Sequence, residues 1–227
     1  MEAAREQPTD EEKTESAFRK FLRRPPKQAR SRALVEALIE SLDELLSRGE
    51  TLDQLTLGTL VRRAGVGVGS FYEYFVNKDA LLGALIGTVT RENFQRLLQQ
   101  VERSEADGLS DVLERISSAV ARTYLSHPTR MRAIVNGIGR LRLLEHVVRE
   151  RDRFANELGR QLHERYLSKE ELQRVQETVR IISDGAMGIV SGELYRENNT
   201  DRAARQILQL ANAVVEHRHP SALSPRS

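Results

Sequence analysis

Apolar side chains recur every three or four residues along most of the 227-residue chain, which is the spacing of one face of an α-helix. Neither an alternating strand pattern nor a hairpin signal interrupts this spacing. The pattern therefore predicts an all-α protein. The predicted helices cover residues 28–48, 56–64, 68–75, 78–101, 110–126, 129–138, 140–166, 169–197 and 201–217.

Local signals mark the ends of several predicted helices. Gly49 and Gly65 each follow an apolar stripe, and glycine ends a helix easily because it adopts the left-handed conformation without a Cβ penalty. A side-chain oxygen can accept a hydrogen bond from a free first-turn N–H group. On this basis we expect four N-caps: Thr56, Asn77, Ser168 and Thr200.

Residues 56–82 are the most distinctive stretch, because two short helices meet there at a glycine turn. Phe71 and Phe75 lie four residues apart, so they share the face that packs on the preceding helix. Gly67 and Gly69 keep the start of the second helix slim. The polar side chains of that helix are expected to point away from the packed face. They are Ser70, Tyr72 and Tyr74. The arrangement predicts a helix-turn-helix, which presents one free face to a major groove about 12 Å wide.

The segment AGVGVGSFYEYFVNKDALL resembles the DNA-binding signature of the TetR family of transcriptional repressors. The resemblance covers roughly residues 30–90 and implies a DNA-binding domain followed by a helical domain that binds an effector and dimerises. Its motif residues are Ala64, Gly65, Val66, Phe71, Tyr72, Phe75 and Lys78.

The resemblance also implies roles for single positions. Phosphate contacts are implied for Thr56, Tyr72 and Lys78. Positions at or near base edges are implied for Val68, Gly69, Ser70 and Tyr74. The chain departs from the family at Gly67, where serine or threonine is common, so a side-chain cap and a possible DNA contact are absent there.

Charge is unevenly distributed, although the formal net charge is only +2. Residues 1–15 hold six acids and two bases, whereas residues 19–32 hold seven bases and no acid. A basic run can be a plain solvated segment, but its position just before the helix-turn-helix favours contact with phosphates. Arg30, within this run, is therefore a further candidate for DNA binding.

These features predict the domain organisation. We expect a disordered acidic-then-basic arm over 1–27, the helix-turn-helix domain over 28–80, an effector-binding and dimerisation domain over 81–217, and a disordered tail over 218–227. The helix from Lys78 begins in the DNA-binding domain and continues into the next, so it is the natural mechanical connection between them.

Other classes of protein find little support in the sequence. No apolar run is long enough to cross a membrane, and the acidic amino terminus does not resemble a signal peptide. The absence of cysteine excludes disulfides and fits a cytoplasmic protein. His163 and Glu164 begin a zinc-protease pattern that fails at Leu167. His217 and His219 are expected in a frayed tail, so we predict no catalytic, metal or cofactor site.

Polar or aromatic residues among apolar ones in the carboxy-terminal helices are candidates for an effector pocket, with ordinary packing as the alternative for each. Asp184 is favoured, because a buried carboxylate needs a partner from a ligand or a second subunit. The candidates are Tyr124, Met131, Asn136, His146, Phe154, Asp184 and Met187.

Three glycines interrupt the helix predicted over 169–197, and each costs about 1 kcal/mol inside a helix. Close approach of another helix explains them, either from the same chain or from a second subunit, and the resemblance implies the second. The predicted dimer interface comprises Val179, Ile182, Gly185, Gly188, Gly192, Ile207, Leu210, Ala211 and Val214.

The sequence therefore predicts a repressor that binds a palindromic operator in double-stranded DNA as a homodimer and is released by a small-molecule effector. The alternative is an all-α ligand-binding or protein-interaction protein whose helix-turn-helix no longer binds DNA.

Overall fold

A computed structural model describes residues 20–102 and 108–220, and within those ranges the chain forms nine helices and no strand. The all-α prediction is confirmed, and every predicted helix is present with its ends within four residues of the expected positions. None of these helices is both long and apolar enough to span a membrane. In chain order they are α1 (Ala29–Ser47), α2 (Leu57–Arg63), α3 (Val68–Tyr74), α4 (Lys78–Glu102), α5 (Leu109–Leu125), α6 (Pro128–Arg140), α7 (Leu144–Tyr166), α8 (Leu172–Tyr195) and α9 (Thr200–Arg218).

The predicted N-caps are correct in the amino-terminal part of the chain and wrong further on. Thr56 caps α2 and Asn77 caps α4, and Gly65 has a φ of 68°. Ser168 does not cap α8, because the chain makes a turn before that helix begins at Leu172. Thr200 is the first residue of α9, whose cap is the preceding asparagine.

The described helices group into two compact units whose boundary differs from the predicted one at residue 80. The first unit extends to Val89 and also includes Ala133–Val147. The second contains Thr90–Arg132 and the chain from Val148 onward. Three helices, α4, α6 and α7, contribute residues to both units.

The first unit is held by apolar side chains buried between short helices. α1 packs on α2, and α2 packs on α3. Leu38, Leu42 and Leu60 have no exposed surface, and fully burying such a side chain contributes about 1.5–3 kcal/mol. The Ser41 hydroxyl donates to the Leu60 carbonyl at 3.0 Å, which ties α1 to α2.

In the second unit, α5, α8 and α9 pack against one another. Gly159 of α7 lies so close to α8 that a Cβ there would be 2.8 Å from the Cα of Gln176. The sequence reading missed this contact. The sequence feature that could have indicated this contact is a pair of small residues, Ala155 and Gly159, which lie four apart on the buried face of α7.

An ion pair between buried Glu193 and half-buried Arg202 fixes the turn between α8 and α9. Arg202 donates to both carboxylate oxygens of Glu193, at 2.8 and 2.9 Å, and the Asn199 backbone N–H donates at 3.2 Å. The hydrogen bonds from Arg202 hold the pKa of the Glu193 carboxyl below its usual range despite its burial. The carboxylate therefore stays charged and satisfied, and the start of α9 is tied to the end of α8.

The carboxy-terminal end of α9 is packed rather than frayed. His219 is fully buried. Its Nε2 lies 2.9 Å from the Thr178 hydroxyl, and its Nδ1 lies 3.1 Å from the Glu170 carboxylate. The expectation of a disordered tail from residue 218 is therefore wrong for Arg218 and His219, while residues 221–227 lie outside the described residues.

Candidate nucleic-acid interface and effector cavity

Helix α3 has one buried and one exposed face, as a recognition helix requires. Phe71 and Phe75 are 1% and 0% exposed, and their ring centroids lie 5.7 Å apart. On the opposite face Val68 and Tyr72 are 48% and 46% exposed. Gly69, between them, faces open space, and Ser70 is half-buried. The free face can therefore enter a groove without disturbing the packed one.

Tyr74 does not belong to the exposed face. It is only 5% exposed, and its hydroxyl accepts a hydrogen bond from Arg24 at 3.3 Å. The prediction that it points away from the packed face is wrong, because Tyr74 follows Phe71 by three residues and precedes Phe75 by one. That spacing places it on the side that faces the domain core.

Two of the implied phosphate-binding residues also hold local structure. The Thr56 hydroxyl accepts the Thr59 N–H at 3.1 Å. The Lys78 ammonium donates to the carbonyls of Leu52 and Leu55, at 2.7 and 2.6 Å. Thr56 is exposed and Lys78 is half-buried. Lys78 therefore links the start of α4 to the loop before α2, and any phosphate must share its ammonium group with these carbonyls.

The basic segment packs on α3 and α4, contrary to the prediction of a disordered arm over 1–27. Arg23 donates its backbone N–H to the Tyr74 carbonyl at 2.8 Å and its guanidinium to the Tyr72 carbonyl at 3.1 Å. The Phe21 ring covers Gly83 of α4 so closely that a Cβ on that glycine would lie 2.6 Å from the ring. Residues 20–24 are thus ordered against the helix-turn-helix, while residues 1–19 lie outside the described part of the chain.

This segment also makes contacts with α3 that the sequence did not predict. Arg24 forms an ion pair with Glu73 of α3, and its guanidinium lies over the Tyr74 ring, 5.0 Å from the centroid. Cations near the last carbonyls of a helix are favourable, because they complement its dipole. The sequence feature that could have indicated this packing is Phe21, an aromatic residue within the basic segment. Arg30 lies further along, exposed in α1.

We expect Phe21→Ala to weaken binding to all DNA sequences about equally, because the segment that holds the end of α3 loses its anchor. A half-buried phenylalanine contributes about 1 kcal/mol, so α3 should loosen without unfolding of the chain. Thermal unfolding would measure the loss of stability, and DNA titration would measure the loss of affinity. Pro25→Ala, at an exposed position of the same segment, is the control. Unchanged affinity for Phe21→Ala would contradict the anchoring role.

The second unit contains a cavity of about 60 Å³ with mainly aliphatic and aromatic walls. Phe94 and Phe154 stack in its lining, with ring centroids 4.8 Å apart and an angle of 15° between the planes. Burial raises the pKa of Tyr124 to about 12, so its hydroxyl is neutral at physiological pH. Among the described residues that line the cavity, Arg151 is the only charged one.

Three of the predicted effector-pocket residues line this cavity, namely Tyr124, Phe154 and Met187. Asp184 was expected to be buried, but its side chain is 52% exposed and pairs with Arg151 at 3.0 Å. The remaining three candidates do not line this cavity. Met131 is buried away from the cavity, Asn136 is exposed, and His146 belongs to the first unit.

The predicted dimer interface divides into residues that pack within the chain and residues that face outward. Val179, Ile182, Ile207 and Ala211 line the cavity, so they contact their own chain. Gly185 leaves room for Leu210 of α9. These residues are inside because α8 and α9 pack on each other and on α5.

The outward part of α8 contains the other two glycines. A Cβ at Gly188 would meet no atom within 4 Å, and one at Gly192 would meet only the end of the Arg196 side chain, at 3.8 Å. Leu210 and Val214 of α9 are half-buried. The chain's own packing thus gives no reason for the helix-weakening glycine at 188.

Comparison with known proteins agrees with this architecture. Residues 50–85 match the family model of the bacterial regulatory proteins of the tetR family. The crystal structure of a TetR transcriptional regulator from Rhodococcus sp. RHA1 has a similar fold, with a TM-score of 0.59 and 16% sequence identity. The alignment covers 86% of this chain and 98% of that one.

The fold and the helix-turn-helix define an all-α, DNA-binding class of protein. The family match over residues 50–85, together with the shared fold, supports the TetR family of transcriptional regulators. The predicted resemblance is thereby confirmed.

Proposed function

We propose that the chain is a repressor that binds a palindromic operator as a homodimer and leaves it when a small molecule occupies the cavity of the second unit. The observation that carries the DNA-binding half is the two-faced helix α3, with Phe71 and Phe75 buried and Val68 and Tyr72 exposed. Base readout would come from Val68, Gly69 and Ser70. Tyr72, Thr56, Lys78 and Arg30 would contact phosphates.

A dimer is needed because one short recognition helix reads only a few base pairs. Two copies related by a two-fold axis would read half-sites about 34–36 Å apart, or a multiple of that distance. The outward stripe of α8 supports this arrangement. Ile181, Gly188 and Tyr195 are spaced seven residues apart and therefore lie along one side of the helix, and Ile181 and Tyr195 are 44% and 53% exposed.

Effector release would act through α4. Its residues from Lys78 to Val89 belong to the first unit, and its residues Phe94 and Leu97 line the cavity in the second. A ligand that binds one conformation of this helix better than another shifts the equilibrium toward that conformation. A different tilt of this helix would change the distance between the two recognition helices of the dimer. They would then no longer match the half-site spacing, and operator affinity would fall.

Selection of bound fragments from random duplex DNA, with the full chain, tests the proposal. We expect a two-fold symmetric motif, whose affinity falls steeply between about 50 and 200 mM salt. An asymmetric motif would contradict the dimer. Failure to enrich any sequence, with no salt-dependent retention on nonspecific DNA, would favour a ligand-binding or protein-interaction protein that has lost DNA binding.

Tyr72→Phe is expected to weaken binding to all sequences by a similar factor, because phosphate contacts position the protein without specifying bases. The change removes only the exposed hydroxyl, so the ring packing at Phe71 should persist. Losing one phosphate contact should reduce the slope of log affinity against log salt by about 0.9. A changed sequence preference with an unchanged slope would move Tyr72 to the base edges.

A further inference from the structure

The mainly apolar lining of the cavity includes one charged side chain, Arg151. Arg151 of α7 reaches Asp184 of α8 through one terminal nitrogen, at 3.0 Å. Its Nε is buried and has no hydrogen-bond partner among the described residues. A buried donor without a partner is costly. An acceptor that reaches this nitrogen after a rearrangement of the Arg151 side chain would therefore form a hydrogen bond that the empty protein lacks.

The form of the guanidinium selects the acceptor. Its N–H groups lie in one plane and match the two oxygens of a carboxylate. Asp184 engages one terminal nitrogen and its side chain is half-exposed, so it can share the guanidinium or turn toward solvent. A dianion such as a phosphate monoester would leave a second charge uncompensated, because the described lining contains no other cation.

The uncharged residues that line the cavity determine which kind of apolar group the rest of the ligand carries. Phe94, Phe154 and Tyr124 contribute three aromatic rings, and Met187 adds an adaptable side chain. The cavity of about 60 Å³ is small, compared with the roughly 150 Å³ of an engineered cavity that binds benzene. A compact ring therefore requires the lining side chains, such as Met187 or the phenylalanine pair, to move apart, and a large polycyclic ligand would require far more displacement.

We propose that the effector is a small amphiphilic monocarboxylate, with a compact aromatic body held by the apolar walls and a carboxylate held by Arg151. The inference rests on the proposed function, because it names the chemical class of the molecule that the cavity takes. Arg151 would act as a specificity-determining residue that distinguishes the acid from its neutral and cationic analogues.

Calorimetric titration of the full chain with phenylacetate, phenylacetamide and phenethylamine tests the charge preference directly. We expect phenylacetate to bind about tenfold or more tightly than phenylacetamide, given the strength of a charged hydrogen bond, and phenethylamine to bind weakest. This comparison uses the unmodified chain, so it does not depend on whether any variant folds. Titration with benzoate, which has an aromatic body, and with hexanoate, which has an aliphatic body, shows which kind of body the apolar walls prefer.

Matched variants assign the preference to one side chain. R151Q should lower phenylacetate affinity about tenfold or more and leave phenylacetamide within about threefold, and R151K should restore part of the loss. D184N should bind phenylacetate as tightly as the unmodified chain or more tightly, because a competing carboxylate is gone. R180Q is the control, since Arg180 pairs with Asp152 between the same two helices but does not line the cavity.

Several results would overturn the inference. They are equal binding of acid and amide, tighter binding of the amine, no binding of any of the three acids at millimolar concentration, or an R151Q variant that still prefers the acid. Operator release is measured separately. If a neutral molecule releases DNA by filling the same cavity, the carboxylate inference fails and the proposed function stands. If phenylacetate binds through Arg151 without affecting DNA binding, effector release fails and the carboxylate site stands.

Discussion

Replacing Gly188 with leucine is expected to dissociate the proposed homodimer and sharply reduce operator affinity while leaving the subunit folded. Within its own chain there is open space at this position, because no atom of a neighbouring side chain or element lies within 4 Å of a Cβ placed there. At a subunit interface the same side chain overpacks the contact, at a cost of roughly 1–3 kcal/mol per copy. Two copies per dimer give about 2–6 kcal/mol, which is about 30-fold to more than 10⁴-fold in dimer dissociation.

Analytical ultracentrifugation beside DNA titration measures this effect. Gly139→Leu is the matched control, because Gly139 is also exposed in open space but lies on α6. Gly188→Ala should be mild, since alanine favours the helix by about 1 kcal/mol and adds only a methyl group. A Gly188→Leu protein that remains dimeric and binds the operator normally would place the interface elsewhere.

Phe71→Ala is expected to cause the largest loss of stability in the DNA-binding unit and to abolish operator binding. The side chain is 1% exposed and contacts the Phe75 and Tyr72 rings, with centroids 5.7 and 5.4 Å away. Deleting a buried phenylalanine ring costs about 3–5 kcal/mol, because transfer energy is lost and a cavity remains. That is a large share of the roughly 5–15 kcal/mol that stabilises a typical domain.

Urea unfolding followed by circular dichroism would measure the loss. Val68→Ala is the control on the same helix, because its side chain is 48% exposed. It should change stability by no more than about 0.5 kcal/mol and affect only DNA binding. If Phe71→Ala kept its stability, α3 would not be anchored through this ring.

Sequence periodicity could predict the helices because their existence depends mainly on local spacing and caps. The apolar stripe of α1, the hydroxyl of Thr56 and the turn at Gly65 all act within a few residues of chain. The same locality explains the errors at Ser168 and Thr200, because neighbouring residues could begin a helix equally well: Asn199 caps α9, and a turn precedes the start of α8 at Leu172.

The candidate site was predicted in part for the same reason. A free and a buried face of α3 follow from the spacing of Phe71 and Phe75. Tyr74 follows Phe71 by three residues, so its spacing also placed it on the packed face, whereas its hydrogen bond from Arg24 joins residues 50 positions apart, which spacing does not show. The docking of Phe21 against Gly83 joins residues far apart in the chain, which periodicity cannot reveal.

By itself, the sequence determined the all-α class, the helix-turn-helix and its resemblance to the TetR family, since these depend on short-range patterns. Only the tertiary structure decided which partner each apolar stripe has. It assigned Val179, Ile207 and Ala211 to the chain's own cavity, left Gly188 facing outward, and set Gly159 against the backbone of α8. An amphipathic pattern shows that a face is covered but not by what, because hydrophobic burial is non-directional and any complementary apolar surface satisfies it.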